Sequence, residues 1–520
     1  MTQATEGDPS ASPALPLDAA AVVPTLESSP SRTERARRVL ARVGTAEVMV
    51  LLAGLAVFSW HVGRPSPWWD EAITRDVTSR TSGEIVDLVQ HVDLVHATYY
   101  LFVHALLGTS ATVTPIRLLS VLAAALTGLL LVRLGRDLDA PRVGVLAGAL
   151  WVVAPLSSRY AQEARPYAMV ALAATAATVA LVRLCLKPWL HRRWALYAGL
   201  IVLVGLLNVL ALLLLVVHLC YVLAIDSPAV RRRWLVVAGG SVLLLSPLLI
   251  ASSHQREQVA WLPRPAWGQL TGFLSAEFAA TATVVGLVLL ALVGTVRRTK
   301  QGGTHGPALA LGLAWSLLPP LILWSVSQVH PLFDWRYVFF TVPGTMLALG
   351  SLATLLRARW LVAVVCVLAL GGLHMQEVYR YIASGHAEDV RGAAAVIQQN
   401  AQAGDAVLFL PASRRVIKLG YPEAFAATDD IALKAAGEDS ATLWGVEEPA
   451  KAIGKELKNR KRVWVVTGPG RFGEAQDDKV DTQKEHLLDV GFDLAGVYDL
   501  HGYEVRLYLR HGTSPLSLRG

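Results

Sequence analysis

Charge is what this sequence has least of. Asp, Glu, Lys and Arg make up 17% of its 520 residues, against about a quarter in an ordinary soluble protein, while 53% are hydrophobic. That shortage excludes a soluble globular chain and implies a polytopic membrane protein. Cysteine is nearly absent as well. Cys185, Cys220 and Cys366 lie in or at the ends of apolar runs, in no ligand spacing, so reduced thiols are expected and a disulfide framework is not. The histidines show neither H-x-x-x-H nor H-E-x-x-H, which argues against a zinc hydrolase. Gly468-Pro469-Gly470 lacks the glycine spacing and Lys-Ser/Thr of a phosphate loop and reads as a turn. No convincing internal repeat and no cleavable secretory signal stand out. Net charge is +7, but the arginines cluster in short segments between apolar runs. That follows the positive-inside rule and argues against nucleic-acid binding.

What is present is a series of apolar runs, each measured against the roughly 20 residues a membrane span needs. Residues 1–44 read as a disordered cytoplasmic tail, rich in Ala, Pro, Ser and Thr and ending in Arg32, Arg35, Arg37 and Arg38. A first span over 46–62 carries Trp68-Trp69-Asp70-Glu71 to the outer face. Surface helices are expected over 70–80 and 83–95, and 96–108 is too short to span and lies at the interface. Further spans are expected at 115–134, 143–158 and 167–184, then a pair of short helices turning near Asn208 within 195–225. The later spans are 234–252, 278–296, 308–329, 337–356 and 359–377. The total is about 11 transmembrane helices. From 381 to 520 the composition is that of a small extracytoplasmic α/β domain. Helices are expected at 390–399 and 484–490, and strands at 406–410, 462–467 and 503–509.

The ionisable residues that fall outside the basic loops gather in four segments assigned to the outer face. These hold Asp70 and Glu71; His91, Asp93, His96, Tyr99, Tyr100 and His104; Arg159 to Tyr167; and His254, Arg256 and Glu257 with His330, Asp334, Arg336 and Tyr337. Arginines offer planar, multidentate donors to phosphate, and a carboxylate near a low-dielectric wall can serve as a general base. Each residue also has a plainer reading. Asp70 would serve as a helix N-cap, Glu163 and Arg165 as a loop ion pair, and Arg336 as a snorkelling side chain. His96 and His104 would face water from an amphipathic helix, and His330 and Asp334 would be ordinary loop residues.

The ordered motifs Trp69-Asp70-Glu71-Ala72, His96-Ala97-Thr98-Tyr99-Tyr100, Ser158 to Tyr167, and Arg336-Tyr337 with Pro343 resemble a known family. Over residues 45–380 the chain resembles the GT-C superfamily of polyprenyl-phosphate-sugar-dependent glycosyltransferases. It looks closest to the protein-O-mannosyltransferase-like (family 39) and aminoarabinose-transferase-like branch, in an actinobacterial form. The resemblance implies a GT-C-like catalytic domain over 45–380 that transfers a mannose- or arabinofuranose-type sugar from a polyprenyl-phosphate donor. The acceptor would be a glycan, glycolipid or protein hydroxyl at the outer face. It implies Asp70 as general base, with Glu71 beside it helping to hold the substrates. Glu163 and Arg165 would line the sugar site and Arg336 would bind the lipid phosphate. His96, Tyr100, Arg159, Tyr160, Tyr167, Arg256, His330 and Tyr337 complete the implied substrate-binding set. Some GT-C enzymes hold a divalent metal between loop carboxylates; here the second loop offers Glu163 but no Asp-x-Asp, so a metal is not favoured. Two other classes compete: a transporter or flippase for a lipid-linked sugar, and an anchored assembly protein whose outer domain binds a cell-wall polymer.

Overall fold

A computed structural model of the chain describes residues 44–186, 191–260, 262–276, 306–354, 356, 358–381, 388–468 and 479–513. The first apolar run forms α1 (Thr45–Ser59), and a strap over residues 60–68 leads into α2 (Trp69–Ser79) and α3 (Ser82–His91). α3 begins on a reciprocal cap: Glu84 N donates to Thr81 Oγ1, and Thr81 N donates to Glu84 Oε2 at 2.7 Å. α4 (Ala97–Leu107) has 11 residues, too few to span a bilayer. The two surface helices and the short apolar segment are thus where the sequence puts them.

There follow α5 (Val113–Asp137), α6 (Pro141–Val153), α7 (Pro155–Ala161), α8 (Tyr167–Leu186), α9 (His191–Leu207) and α10 (Leu214–Leu223). Next are α11 (Pro228–His254), α12 (Trp267–Ala276), α13 (Gly306–Val326), α14 (Trp335–Val338), α15 (Val342–Ala353) and α16 (Ala358–Val378). Among the described residues α5, α8, α11 and α13 are long and apolar enough to cross a membrane, and α6 with α7 makes a further path bent by 66°. That bend replaces the straight span expected over 143–158. Proline causes it: Ala154, before Pro155, is held extended at φ −66° and ψ 123°, and Pro155 then opens a new helix. The expected spans at 46–62 and 337–356 are also shorter helices, α1 with 15 residues and α15 with 12. The expected span at 278–296, the tail before residue 44 and positions 469 and 470 of the expected turn lie outside the described residues.

Small residues bring the helices together. A Cβ placed on Gly135 of α5 would lie 2.3 Å from Gly144 Cα of α6, so only glycine permits this approach. The turn expected near Asn208 is present: Asn208 is extended, and Leu210 N donates to its Oδ1 at 3.0 Å. Tyr197 on α9 and His218 on α10 are 21 residues apart yet hydrogen-bonded at 2.9 Å, which an unbroken helix would forbid. A buried polar chain runs through them. Trp234 Nε1 donates to Tyr197 Oη at 2.8 Å, and Thr178 donates its hydroxyl to Ala174 O. Those two bonds fix the rest: Tyr197 donates to His218 Nδ1, and His218 Nε2 donates to Thr178 Oγ1 at 3.1 Å.

The C-terminal α/β region comprises α17 (Val390–Asn400), β1 (Asp405–Phe409), α18 (Val416–Gly420), β2 (Thr428–Asp430), β3 (Leu433–Ala435) and α19 (Gly437–Ser440). It continues through β4 (Val446–Glu447), α20 (Ala450–Leu457), β5 (Arg462–Thr467), α21 (Lys479–Gly491), β6 (Phe492–Leu500) and β7 (Tyr503–Arg510). The main sheet runs β2-β1-β5-β7-β6, parallel across its first three strands and antiparallel across the rest, with β3–β4 a separate ladder. β1, β5 and β7 are the three strands legible in the sequence. β6 was not anticipated, because this edge strand leaves Leu494 and Val497 half exposed and blurs its alternation. Alternate residues of β1 and β5 enter two cores. Ala406, Leu408, Val463 and Val465 pack with Ile453, Leu457 and Leu488. Val407, Phe409, Trp464 and Val466 join a cluster that includes Val416 and Ile417 of α18 and Ala72, Ile73 and Val77 of α2. Thr45–Gly520 accordingly pack as one unit.

Candidate active site

The site begins at the entry to α2. Its N-cap position is Trp68, whose side chain makes no capping bond, so Asp70 falls in the first turn and is not the cap. Asp70 Oδ2 accepts from Arg336 Nη1 at 2.8 Å and lies 3.8 Å from Arg165 Nε. One carboxylate thus sits between two guanidiniums supplied by distant segments. Arg336 is placed by α14, where Asp334 caps the helix by accepting from Arg336 N at 3.0 Å. Its guanidinium lies 5.3 Å from the Tyr337 ring centre and 5.8 Å from that of Trp68, within cation–π range.

Arg165 comes from the loop between α7 and α8 and carries its own set of partners. Its Nη1 donates to Tyr100 Oη at 3.2 Å and Thr74 Oγ1 at 3.4 Å, and its Nη2 donates to His96 Nε2 at 2.6 Å. Tyr100 in turn donates to Asp93 Oδ2 at 2.8 Å. Because arginine can only donate, His96 must accept at Nε2 and carry its proton on Nδ1. Burial, with the Arg165 and Arg336 charges, holds the His96 imidazole well below the ordinary histidine range, so it is neutral. Its Nδ1 is buried and makes no hydrogen bond.

Glu163 is the third element. It is 2% exposed, and its Oε2 has no hydrogen-bond partner. Burial pushes its carboxyl up to about 8, leaving it mostly protonated at neutral pH. Tyr160 packs edge-on to Tyr167 at 5.6 Å and against Phe339 at 4.4 Å, while Arg159 lies over the Tyr379 ring at 5.3 Å.

Three expected site residues have surroundings of their own. Glu71, grouped with Asp70 as catalytic, faces away into the bundle and is fully buried. Arg117 donates to both its oxygens, at 2.7 Å and 2.5 Å, and Ala164 N donates to Oε1 at 2.7 Å. Consecutive helix residues point about 100° apart, so neighbours in sequence serve different surroundings. Arg256 is exposed; its neighbours Gln255 and Gln258 reach the site instead, accepting from Leu94 N at 2.9 Å and Asp93 N at 3.2 Å. His330 is exposed just beyond α13, and its backbone N donates to Val326 O at 3.0 Å. Arg117 was overlooked although its signal was plain: an arginine inside an apolar helix is costly unless paired.

A divalent metal fits these residues poorly. Asp70, the carboxylate a cation would need, is flanked by Arg336 and Arg165. Among the described residues no group of three or more His, Cys, Asp and Glu side chains converges.

The fold has a structural parallel. ArnT from Cupriavidus metallidurans in the apo state superposes with a TM-score of 0.58 at 14% identity, covering 91% of this chain and 98% of that one. The two chains share one fold. ArnT bound to undecaprenyl phosphate gives 0.56 at 12% identity, covering 90% and 99%. The archaeal oligosaccharyltransferase AglB from Archaeoglobus fulgidus is more distant, at 0.47 and 13% identity over 91% and 75%. No protein-family model and no curated protein matches the sequence. The shared fold, with its long apolar helices and C-terminal strands, bears out the fold class expected from the sequence.

Proposed function

We propose that this protein is a polyprenyl-phosphate-dependent membrane glycosyltransferase with Asp70 as its general base. The observation that carries the reading is the convergence of Asp70, Arg165 and Arg336 in a chain with the ArnT fold. A base must lie beside the groups that hold the leaving phosphate, and here two guanidiniums flank one carboxylate. On donor binding the lipid phosphate takes over the Arg336 guanidinium, which releases Asp70 Oδ2. Asp70 then removes the proton from the acceptor hydroxyl as its oxygen attacks the anomeric carbon. The bond from that carbon to the phosphate oxygen breaks, and polyprenyl phosphate leaves with the electron pair. Arg336 and Arg165 stabilise the charge that grows on it, and a single displacement inverts the anomeric centre. Glu163, Tyr160 and Tyr167 line the sugar side, and His96 Nδ1 offers a donor beside Arg165. The sugar is of the mannose or arabinofuranose type, the acceptor is a glycan, glycolipid or protein hydroxyl, and the reaction faces outward from the membrane.

The test is Asp70→Asn assayed with polyprenyl-phosphate mannose and arabinofuranose. The variant should fold and lose transfer; transfer at the wild-type rate would refute the base assignment. Glycan analysis of cells lacking the protein would then identify the sugar.

A further inference from the structure

The helix that carries Asp70 begins without a local cap. Trp68 occupies the N-cap position and its indole makes no capping bond. The backbone donor of Trp69 is taken by Glu388 Oε2 at 2.9 Å, from 319 residues away and just before α17 of the α/β region. Glu388 is 5% exposed, and its carboxylate lies at the positive end of α2.

The strap that feeds this helix is held from both sides. From the α/β region, Arg391 N donates to Ser66 Oγ at 2.9 Å. The Arg391 guanidinium donates to Gly63 O at 3.2 Å, Arg64 O at 3.2 Å and Pro65 O at 3.3 Å. From the helical bundle, Arg117 Nη1 donates to Val62 O at 2.9 Å and Pro65 O at 3.0 Å. Downstream, Arg80 Nη1 donates to Thr442 O at 3.0 Å, tying the far end of α2 to the same region.

We infer that Glu388 is a positioning residue for Asp70: the α/β region supplies the missing cap of α2 and so sets where the carboxylate stands. This inference rests on the reading of Asp70 as the base. Losing a cap frays the first helical turn, and Asp70 is the second residue of that turn. A carboxylate displaced by a fraction of an ångström loses its alignment with the acceptor hydroxyl, while the arginines that hold the donor are untouched. The expected signature is therefore a fall in kcat with donor KM unchanged.

The experiment uses the full chain in lipid nanodiscs and compares Glu388→Ala, Glu388→Gln and Asp70→Asn. Amide hydrogen exchange is followed over residues 68–74, and transfer from a polyprenyl-phosphate sugar is measured in parallel. Glu388→Ala should speed exchange of the Trp69 amide and lower kcat, each about tenfold, with KM unchanged. Glu388→Gln keeps an oxygen that can accept from Trp69 N and should restore most of both. Unaltered exchange in Glu388→Ala would overturn the cap. Faster exchange with wild-type kcat, alongside an inactive Asp70→Asn, would overturn the positioning role and leave the base assignment standing. An active Asp70→Asn would defeat the base assignment and the positioning role with it, while the exchange data would still decide the cap.

Discussion

Asp70 and Arg336, 266 residues apart in the chain, meet at 2.8 Å, and Arg165 approaches the same oxygen from a third segment. Resting charge compensation of this kind has a consequence for kinetics. On the proposed mechanism, removing Arg336 both frees the base and deletes a stabiliser of the departing phosphate. Arg336→Ala should lower kcat by about 10²- to 10³-fold, the usual loss for one transition-state donor. Arg336→Lys should recover only part of this, since a point charge replaces a planar fork. Wild-type kcat in Arg336→Ala would remove the residue from the reaction.

Glu71 should contribute to stability. Both of its oxygens are bound by a buried arginine, so truncation strands the Arg117 charge in the bundle. Glu71→Ala should cost about 3–5 kcal/mol, and replacing both partners by apolar residues of similar volume should cost much less. Denaturation in detergent, read as a double-mutant cycle, checks this. Equal losses in the single and double variants would argue against the pair.

On the proposed function, Glu163 should make transfer sensitive to alkali. Its carboxyl is raised from an ordinary 4.5 to about 8 by burial. If the neutral acid is the form that contacts substrate, kcat should fall as pH rises through about 8, and Glu163→Gln should lack that limb. The sign for stability is the same. A raised pKa stabilises the fold fully below 4.5, and that contribution is lost as pH rises through about 8. A pH–rate profile unchanged by Glu163→Gln would assign the limb elsewhere.

The helix pair that turns at Asn208 is pinned by the Trp234–Tyr197–His218–Thr178 chain. Tyr197→Phe removes the atom that accepts from Trp234 and donates to His218. A loss of about 1 kcal/mol is expected, the size typical of a hydrogen bond between membrane helices. Thermal unfolding checks it, and transfer at a permissive temperature should be unaffected.

How much of this could be read in advance depended on the range of the forces involved. Asp70, Arg165 and Arg336 were legible because charge at a membrane boundary is scarce and each stands beside an apolar run. The separate surroundings of Glu71 were not legible because adjacency in sequence conceals the rotation between consecutive helix residues. Arg256 and His330 are charged or titratable loop residues like Arg165, and only the folded chain shows them exposed. Pro155 stood in the sequence, yet the 66° bend it imposes was read as a straight span. Glu388 had no local signal at all, since its partner is a backbone amide 319 residues away.

The common core beneath α2 and the sheet bears on how substrates reach the chemistry. Val407, Phe409, Trp464 and Val466 pack in one cluster with Ala72, Ile73 and Val77, so lifting the sheet away would expose apolar surface on both sides. The sheet and α2 thus belong to one apolar core. On the proposed function, lipid donor and acceptor would then reach Asp70 from the side, between helices and along loop edges, with the sheet still packed on α2.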